Sequence, residues 1–266
     1  MSVIILPECG FATSSSTKVF AMQIFKSLFA VSVMLGLPGI GHAALHDRGG
    51  GLIYDDILDV TWLAKSSDTF VTWQSAFDWA DGLEYVDSVR GVTWSDWRLP
   101  TVAPVDGNAF VYTDTFNGTT DRGYNIAAPG TLYAGSTASE LAHLFFVSLG
   151  NLGICDPATS TATSCGSAPA GWGFVNRFTF DIPVSALGST FWTGTDYPPG
   201  NGSFAWYFSL GSGQQFRDYK GTRAFALALR DGDVGLAPIP EAETYALMLA
   251  GLGLVAWRIR LRRYRD

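Results

Sequence analysis

Apolar positions along this chain follow three rhythms, and each predicts a different kind of element. Trp73, Ala76, Phe77, Ala80 and Leu83 recur at helical spacing, with Asp78, Asp81 and Glu84 on the other side. That stripe predicts a helix over 72–85, capped by Thr72 and with Trp79 partly off the stripe. Thr137-Ala-Ser-Glu140 reads as a capping box. It predicts a second helix running through Leu141, Leu144, Phe145 and Leu149 and stopped by Gly150. Short apolar runs bounded by Gly, Pro and Asn predict strands at 52–55, 59–63, 191–193, 205–210 and 224–230. The first two form a hairpin around Asp55 and Asp56, after a turn at 47–51. The last run alternates Ala with larger apolar residues, as in a strand buried on both faces. Trp94-Ser-Asp-Trp97-Arg98-Leu-Pro100 reads as a packed corner, in which Arg98 stacks on an aromatic ring and bonds carbonyls. Residues 102–136 are too long for an ordinary connection and form an elaborated surface loop, with Phe110-Val-Tyr112 as a short strand. The sum is an α+β domain: two helices among short antiparallel sheets, long loops, and a core rich in Trp62, Trp73, Trp97, Trp192 and Trp206.

The third rhythm is continuous apolarity, and it occurs near both ends. Met22-Gln-Ile-Phe-Lys26 is followed by an apolar run to Leu37, then Pro38, Gly39 and Gly41-His-Ala43. A run this short fits a secretion signal better than a membrane span, which needs about 20 residues. The expected cleavage follows Ala43, signal peptidase is the expected partner, and Met22 is the expected true start. At the other end Tyr245 to Trp257 is apolar throughout, and five arginines fall within 258–265, among them Arg258, Arg260, Arg262 and Arg263. This pattern predicts a separate C-terminal transmembrane helix, short enough to act as a transient stop-transfer element at the inner membrane. The expected division is a leader over 1–43, an ectodomain over 44–236 and a tail over 237–266.

Charge sharpens the picture. The net charge of −7 conceals a strongly acidic middle, because residues 44–240 carry 10 Lys and Arg against 20 Asp and Glu, a net of −10. Such a domain does not bind nucleic acid or anionic polysaccharide through bulk charge. Neutral glycans and cations remain compatible with it. Cys155 and Cys165 bracket a Ser/Thr/Ala/Pro-rich loop, and in an oxidising compartment a disulfide is the default reading. A two-cysteine metal site lacks a nearby histidine.

Pro238-Ile-Pro240-Glu241-Ala242-Glu-Thr, then the apolar run and the arginine cluster, resembles the PEP-CTERM sorting signal, with Ala242 where the motif has its second proline. The resemblance implies processing by an exosortase-type membrane protease in a Gram-negative, exopolysaccharide-producing bacterium. It also implies display at the cell surface or in the extracellular matrix. Gly51-Leu-Ile-Tyr-Asp55, Asp59-Val-Thr-Trp-Leu63, Thr72-Trp73, Ser95-Asp-Trp-Arg-Leu-Pro-Thr101, Phe191-Trp-Thr-Gly194, Ala205-Trp-Tyr-Phe208 and Ala228-Leu-Arg-Asp-Gly232 occur in order along the ectodomain. They resemble the Lcl C-terminal-like family. That family implies a C-type-lectin-like fold, adhesin roles and no catalytic residues.

No HExxH, Gly-x-Ser-x-Gly or P-loop motif is present, so no catalytic residue and no cofactor is expected. His143, on the second helix, reads as a surface or half-buried packing residue. Asp114 with Asp121, or Asp231 with Asp233, would offer oxygens to Ca²⁺ if they converged. The expected activity is binding of a glycan or exopolysaccharide through the 102–136 and 195–203 loops, with Asp114, Asp121, Asp196, Tyr197 and Asn201 as candidate contacts. The alternatives are a structural envelope protein without a ligand and an enzyme on a formylglycine-generating-like scaffold.

Overall fold

A computed structural model describes residues 45–186, 188–236 and 242–263. The expected leader with Met22 and Ala43, and the motif residues Pro240 and Glu241, lie outside the described residues. The fold is mixed α+β. Strands β1 (Leu45–Gly49), β2 (Leu52–Asp55), β3 (Val60–Ser66) and β11 (Leu227–Asp231) form an antiparallel sheet in the order β1-β2-β3-β11. The expected hairpin is present, with Asp55 opposite Val60. The Asp55 carboxylate shapes its turn by accepting from the Ile57 and Leu58 amides, both at 3.2 Å. The segment read as a turn at 47–51 is instead mostly edge strand β1, because Asp47 and Gly49 find partners on β2.

Helix α1 spans Trp73–Asp81 with Thr72 as its N-cap, as the stripe predicts. It ends earlier than expected, at the Gly82 cap. Tyr85 then enters a two-stranded hairpin of β4 (Tyr85–Asp87) and β5 (Val92–Trp94). Ala76 and Ala80 are buried, but Phe77 of the predicted stripe is 42% exposed. The second helix, α2 (Glu140–His143), is capped by the Ser139 side chain rather than by Thr137, and it widens into a π-helical turn over Leu144–Ser148. Glu140 therefore closes no capping box. It receives two bonds from Arg98, at 2.8 and 2.7 Å, and one from the Thr101 amide at 2.5 Å. Arg98 also reaches Asp231 at 2.6 Å, so its role is structural, but its partners are mainly carboxylates. The stacked arginine of this corner is Arg230, 4.3 Å from the Trp94 ring centre.

The larger sheet has the order β6-β7-β10-β9-β8: β6 (Asp114–Thr115), β7 (Arg122–Tyr124), β10 (Gln214–Tyr219), β9 (Phe204–Ser209) and β8 (Thr190–Tyr197). All its pairs are antiparallel except β6 with β7. Residues 110–112 are not a strand; the loop's strands lie further on, at β6 and β7. Strand β10 was not anticipated, since its mixed Gln-Gln-Phe-Arg-Asp-Tyr sequence carries little apolar signal.

The core lies in two main clusters. Leu227 and Leu229 join Trp62, Phe145, Phe191 and Phe208 in one. Ala226 and Ala228 join Leu52, Leu63, Ala76, Ala80, Trp97 and Trp192 in the other. The 224–229 run is thus buried on both sides, as its alternation predicts. Trp62, Trp97, Trp192 and Trp206 are buried, and Trp73 is half-buried with its indole N–H donating to the Thr193 carbonyl at 2.8 Å.

Helix α3 (Ala242–Arg263) carries Arg258, Arg260, Arg262 and Arg263. Among the described residues no helix is long and apolar enough to cross a membrane. Within α3 the continuous apolar run is 245–257, with Glu243 before it and Arg258 after it.

Candidate functional site

The long loop is ordered by polar side chains. Asp121 is 1% exposed and accepts from the Val105 and Val111 amides, both at 2.6 Å. Burial raises its carboxyl pKa, and those backbone N–H groups oppose the rise. The Thr120 hydroxyl bonds the Thr115 hydroxyl and the carbonyls of Thr113 and Arg122, all within 2.9 Å. Asn125 donates to the Phe116 carbonyl at 2.8 Å. Gln215 of β10 clamps the arrangement by donating to the Asp121 carbonyl at 2.7 Å and accepting from Ser139.

These bonds bring β6 against β7, beside which a groove opens with lining residues from β6, β7 and β10. At Gly123 the strands approach so closely that a Cβ would lie 1.9 Å from the Thr115 carbonyl oxygen, and φ is +125°. Only glycine fits there. The groove encloses about 260 Å³ and is lined by Asp114, Thr115, Phe116, Gly123, Tyr124, Gln214 and Phe216. The Phe116 and Tyr124 rings stack at 5.3 Å and 12°. Gln214 and Phe216 are two apart on β10 and so share a face, with Gln214 opposite Tyr124. Phe216 continues the aromatic row to Tyr207, 6.2 Å away, which in turn meets Trp192 at 6.4 Å. Burial pushes the Tyr207 phenol up to about 12 and raises that of Tyr124, so both stay neutral donors at physiological pH.

Arg122 braces the groove. Its guanidinium lies 4.8 Å from the Phe216 ring centre, grips Asp114 through two bonds (Nε to Oδ1, 2.6 Å), and donates to the Tyr197 hydroxyl at 3.0 Å. Asp114 remains 44% exposed at its side chain, with acceptor capacity facing solvent beyond the ion pair. The arrangement offers ring faces for C–H surfaces, a carboxylate acceptor and an amide that both donates and accepts. Its lining contains no histidine, cysteine or lysine to serve as nucleophile or base.

Of the residues singled out from sequence, Asp114 alone lines this groove. Asp121 sits beneath the loop as its organiser. Tyr197 is 3% exposed and packs edge-on against Trp206 at 4.8 Å. Asp196 pairs with Lys220, and Asn201 occupies the β8–β9 turn at φ +55°. The carboxylates considered for Ca²⁺ do not converge: Asp114 holds Arg122, Asp121 holds backbone amides, Asp231 holds Arg98 and Asp233 holds Arg48. No group of three His, Cys, Asp or Glu side chains able to hold a metal occurs among the described residues. His143 is 1% exposed, more buried than expected, and its Nδ1 lies 3.1 Å from the Ser136 carbonyl. Cys155 and Cys165 form the expected disulfide, with Cα atoms 5.0 Å apart.

Sequence reasoning missed Phe116, Tyr124, Gln214 and Phe216. For Gln214 and Phe216 the available signal was the Gly211-Ser-Gly213 turn followed by alternating residues, which reads as the return strand of a hairpin from β9. No protein-family model matches the chain, and no curated protein and no solved structure is significantly similar to it.

Proposed function

We propose that this chain is an exported, non-enzymatic surface or matrix protein of a Gram-negative bacterium. In this reading a C-type-lectin-like domain of the Lcl C-terminal kind binds a neutral glycan, and a PEP-CTERM-like tail directs sorting by an exosortase-type protease. The observation that carries it is the groove at β6, β7 and β10, where the Phe116, Tyr124 and Phe216 rings stand beside Asp114 and Gln214. A sugar presents C–H faces and hydroxyls together, and this lining matches both. The acidic ectodomain favours an uncharged partner over a sulfated or uronic one. A disulfide in the loop region fits an oxidising compartment.

The test is a glycan array probed with the full chain, wild type beside Tyr124→Ala and Phe216→Ala. Binding to neutral oligosaccharides, weakened about tenfold by each change, is the expected result. Binding confined to sulfated glycans and abolished by salt would overturn the reading. So would no binding anywhere on the array, which favours a structural envelope role.

A further inference from the structure

A second cleft, of about 420 Å³, lies in the ectodomain where three backbone segments meet: 128–130 of the long loop, 150–153 after the π-helical turn, and 156–158 at the start of the disulfide loop. Its size is that of a small-ligand pocket. Its lining is mostly apolar, with Ala128, Pro129, Phe146, Leu152 and Pro157 prominent. The one polar amide in that lining is already committed. The Asn151 side chain accepts from the Val175 and Asn176 amides, at 3.0 and 2.8 Å, and donates to the Asn176 carbonyl at 2.9 Å.

Asp156 is the only charged lining residue. Within its loop this half-buried carboxylate accepts one bond, from the Ala158 amide at 2.9 Å, and a carboxylate can accept about four. The wall that carries it is preformed. Cys155 is fully buried and bonded to Cys165, and the Asp156 carbonyl accepts from the Thr159 and Ser160 amides at 3.1 and 2.9 Å. A rigid wall reduces the ordering cost of binding.

We propose that this cleft is a binding site for small amphiphilic amines, with an apolar body against Phe146, Leu152 and the prolines and an ammonium group on Asp156. The chemistry selects that class. A sugar needs several free polar partners, and the Asn151 amide is spent on the backbone. An anion meets a like charge. A plain hydrocarbon would strip water from Asp156 and return nothing to it. The site does not depend on the glycan reading, since it shares no lining residue with the β6–β7–β10 groove.

The experiment is calorimetric titration of the full chain with 2-phenylethylamine, beside phenylacetate and 2-phenylethanol as anionic and neutral counterparts. The amine should bind saturably and the acid should not. Asp156→Asn keeps an acceptor for the Ala158 amide, and it should lower amine affinity about tenfold, to near that of the alcohol. Ala158→Phe places a ring at an exposed lining position and should abolish amine binding without disturbing the core. No saturable amine binding at millimolar concentration overturns the proposal. Equal binding of acid and amine, or amine affinity unchanged in both variants, does so as well.

Discussion

The four-stranded sheet and the 102–139 loop reach order by different means. Every residue of β3 except Lys65 is buried, and Leu227, Ala228 and Leu229 of β11 are fully buried. Order there is spread over many apolar contacts, each Å² of which contributes roughly 25 cal/mol. The loop has two short strands of its own, β6 and β7. Ile126, Ala127 and Ala128 join the core and Phe110 and Tyr112 pack beside Trp206, but the turns between them are fastened by a few polar groups, chiefly Asp121, Thr120 and Asn125, each bonded to the backbone. Distributed burial degrades gradually, whereas polar fastening fails at single residues, because each lost side chain leaves a backbone N–H or C=O without its partner. The groove lined by β6, β7 and β10 lies largely on the second kind of structure.

The sharpest test of that contrast is the link between the two regions. Glu140 accepts from Arg98, whose own backbone pairs with Leu229 of β11, and from the Thr101 amide at the start of the loop. Glu140→Ala leaves the guanidinium and that amide short of a partner. A loss on the order of 4–5 kcal/mol is expected in urea unfolding, and a loss under about 1 kcal/mol would mean that Asp231 alone satisfies Arg98. Asp121→Ala comes next, at about 3–4 kcal/mol, since it strands the Val105 and Val111 amides. Hydrogen exchange should then show loop amides opening while β3 amides stay protected. Uniform loss of protection would break the comparison. Third is the cysteine pair. Replacing both Cys155 and Cys165 with Ala should cost about 3 kcal/mol, as expected for a closed loop of this length. A calorimetric Tm unchanged from wild type would show that the bonds within 156–167 hold the loop unaided.

The same contrast explains what the sequence disclosed. Three strands of the sheet were readable because their side chains follow its geometry: the 52–63 hairpin shows as two short apolar runs about an Asp-rich turn, and the doubly buried 224–229 run by its alternation. The Thr72 cap and the cysteine pairing were readable for equally local reasons. The loop was not. Asp121 has the profile of a solvated turn residue, and only the chain folded back upon it turns it into an acceptor for amides 10 and 16 residues away. Helix α2 misled for a related reason. Glu140 stands at the right spacing for a box with Thr137, but Arg98, 42 residues upstream, outcompetes a local amide for its carboxylate. Phe77 sits on the apolar face of α1 by spacing, yet Ala76 and Ala80 are the helix residues buried in the core, Trp73 and Trp79 pack against it, and the Phe77 ring stays 42% exposed beside Trp73 at 5.8 Å.

The smallest effect is read as a slope in pH. Burial raises the Asp121 pKa above its unfolded value. The folded loop therefore holds that proton more tightly than the unfolded chain does. Its contribution is full below the unfolded carboxylate value and is lost as pH rises through the folded one. Asp87, in the hairpin docked on β1 through Arg90 and the Arg48 carbonyl, behaves in the opposite way. Burial pushes its carboxyl up, but bonds from Arg90, Trp94 and two backbone amides outweigh burial and lower it. Its contribution is present above the unfolded value and disappears as pH falls through the folded one. Acidification from neutrality should thus first raise stability slightly, through the loop, and then reduce it below the ordinary carboxylate range, through the hairpin and the sheet edge. Urea midpoints across pH would show both limbs. Asp121→Asn should flatten the first and Asp87→Asn the second. A first limb that survives Asp121→Asn unchanged would mean that the loop's buried carboxylate does not set it, and that another titrating group couples loop order to pH.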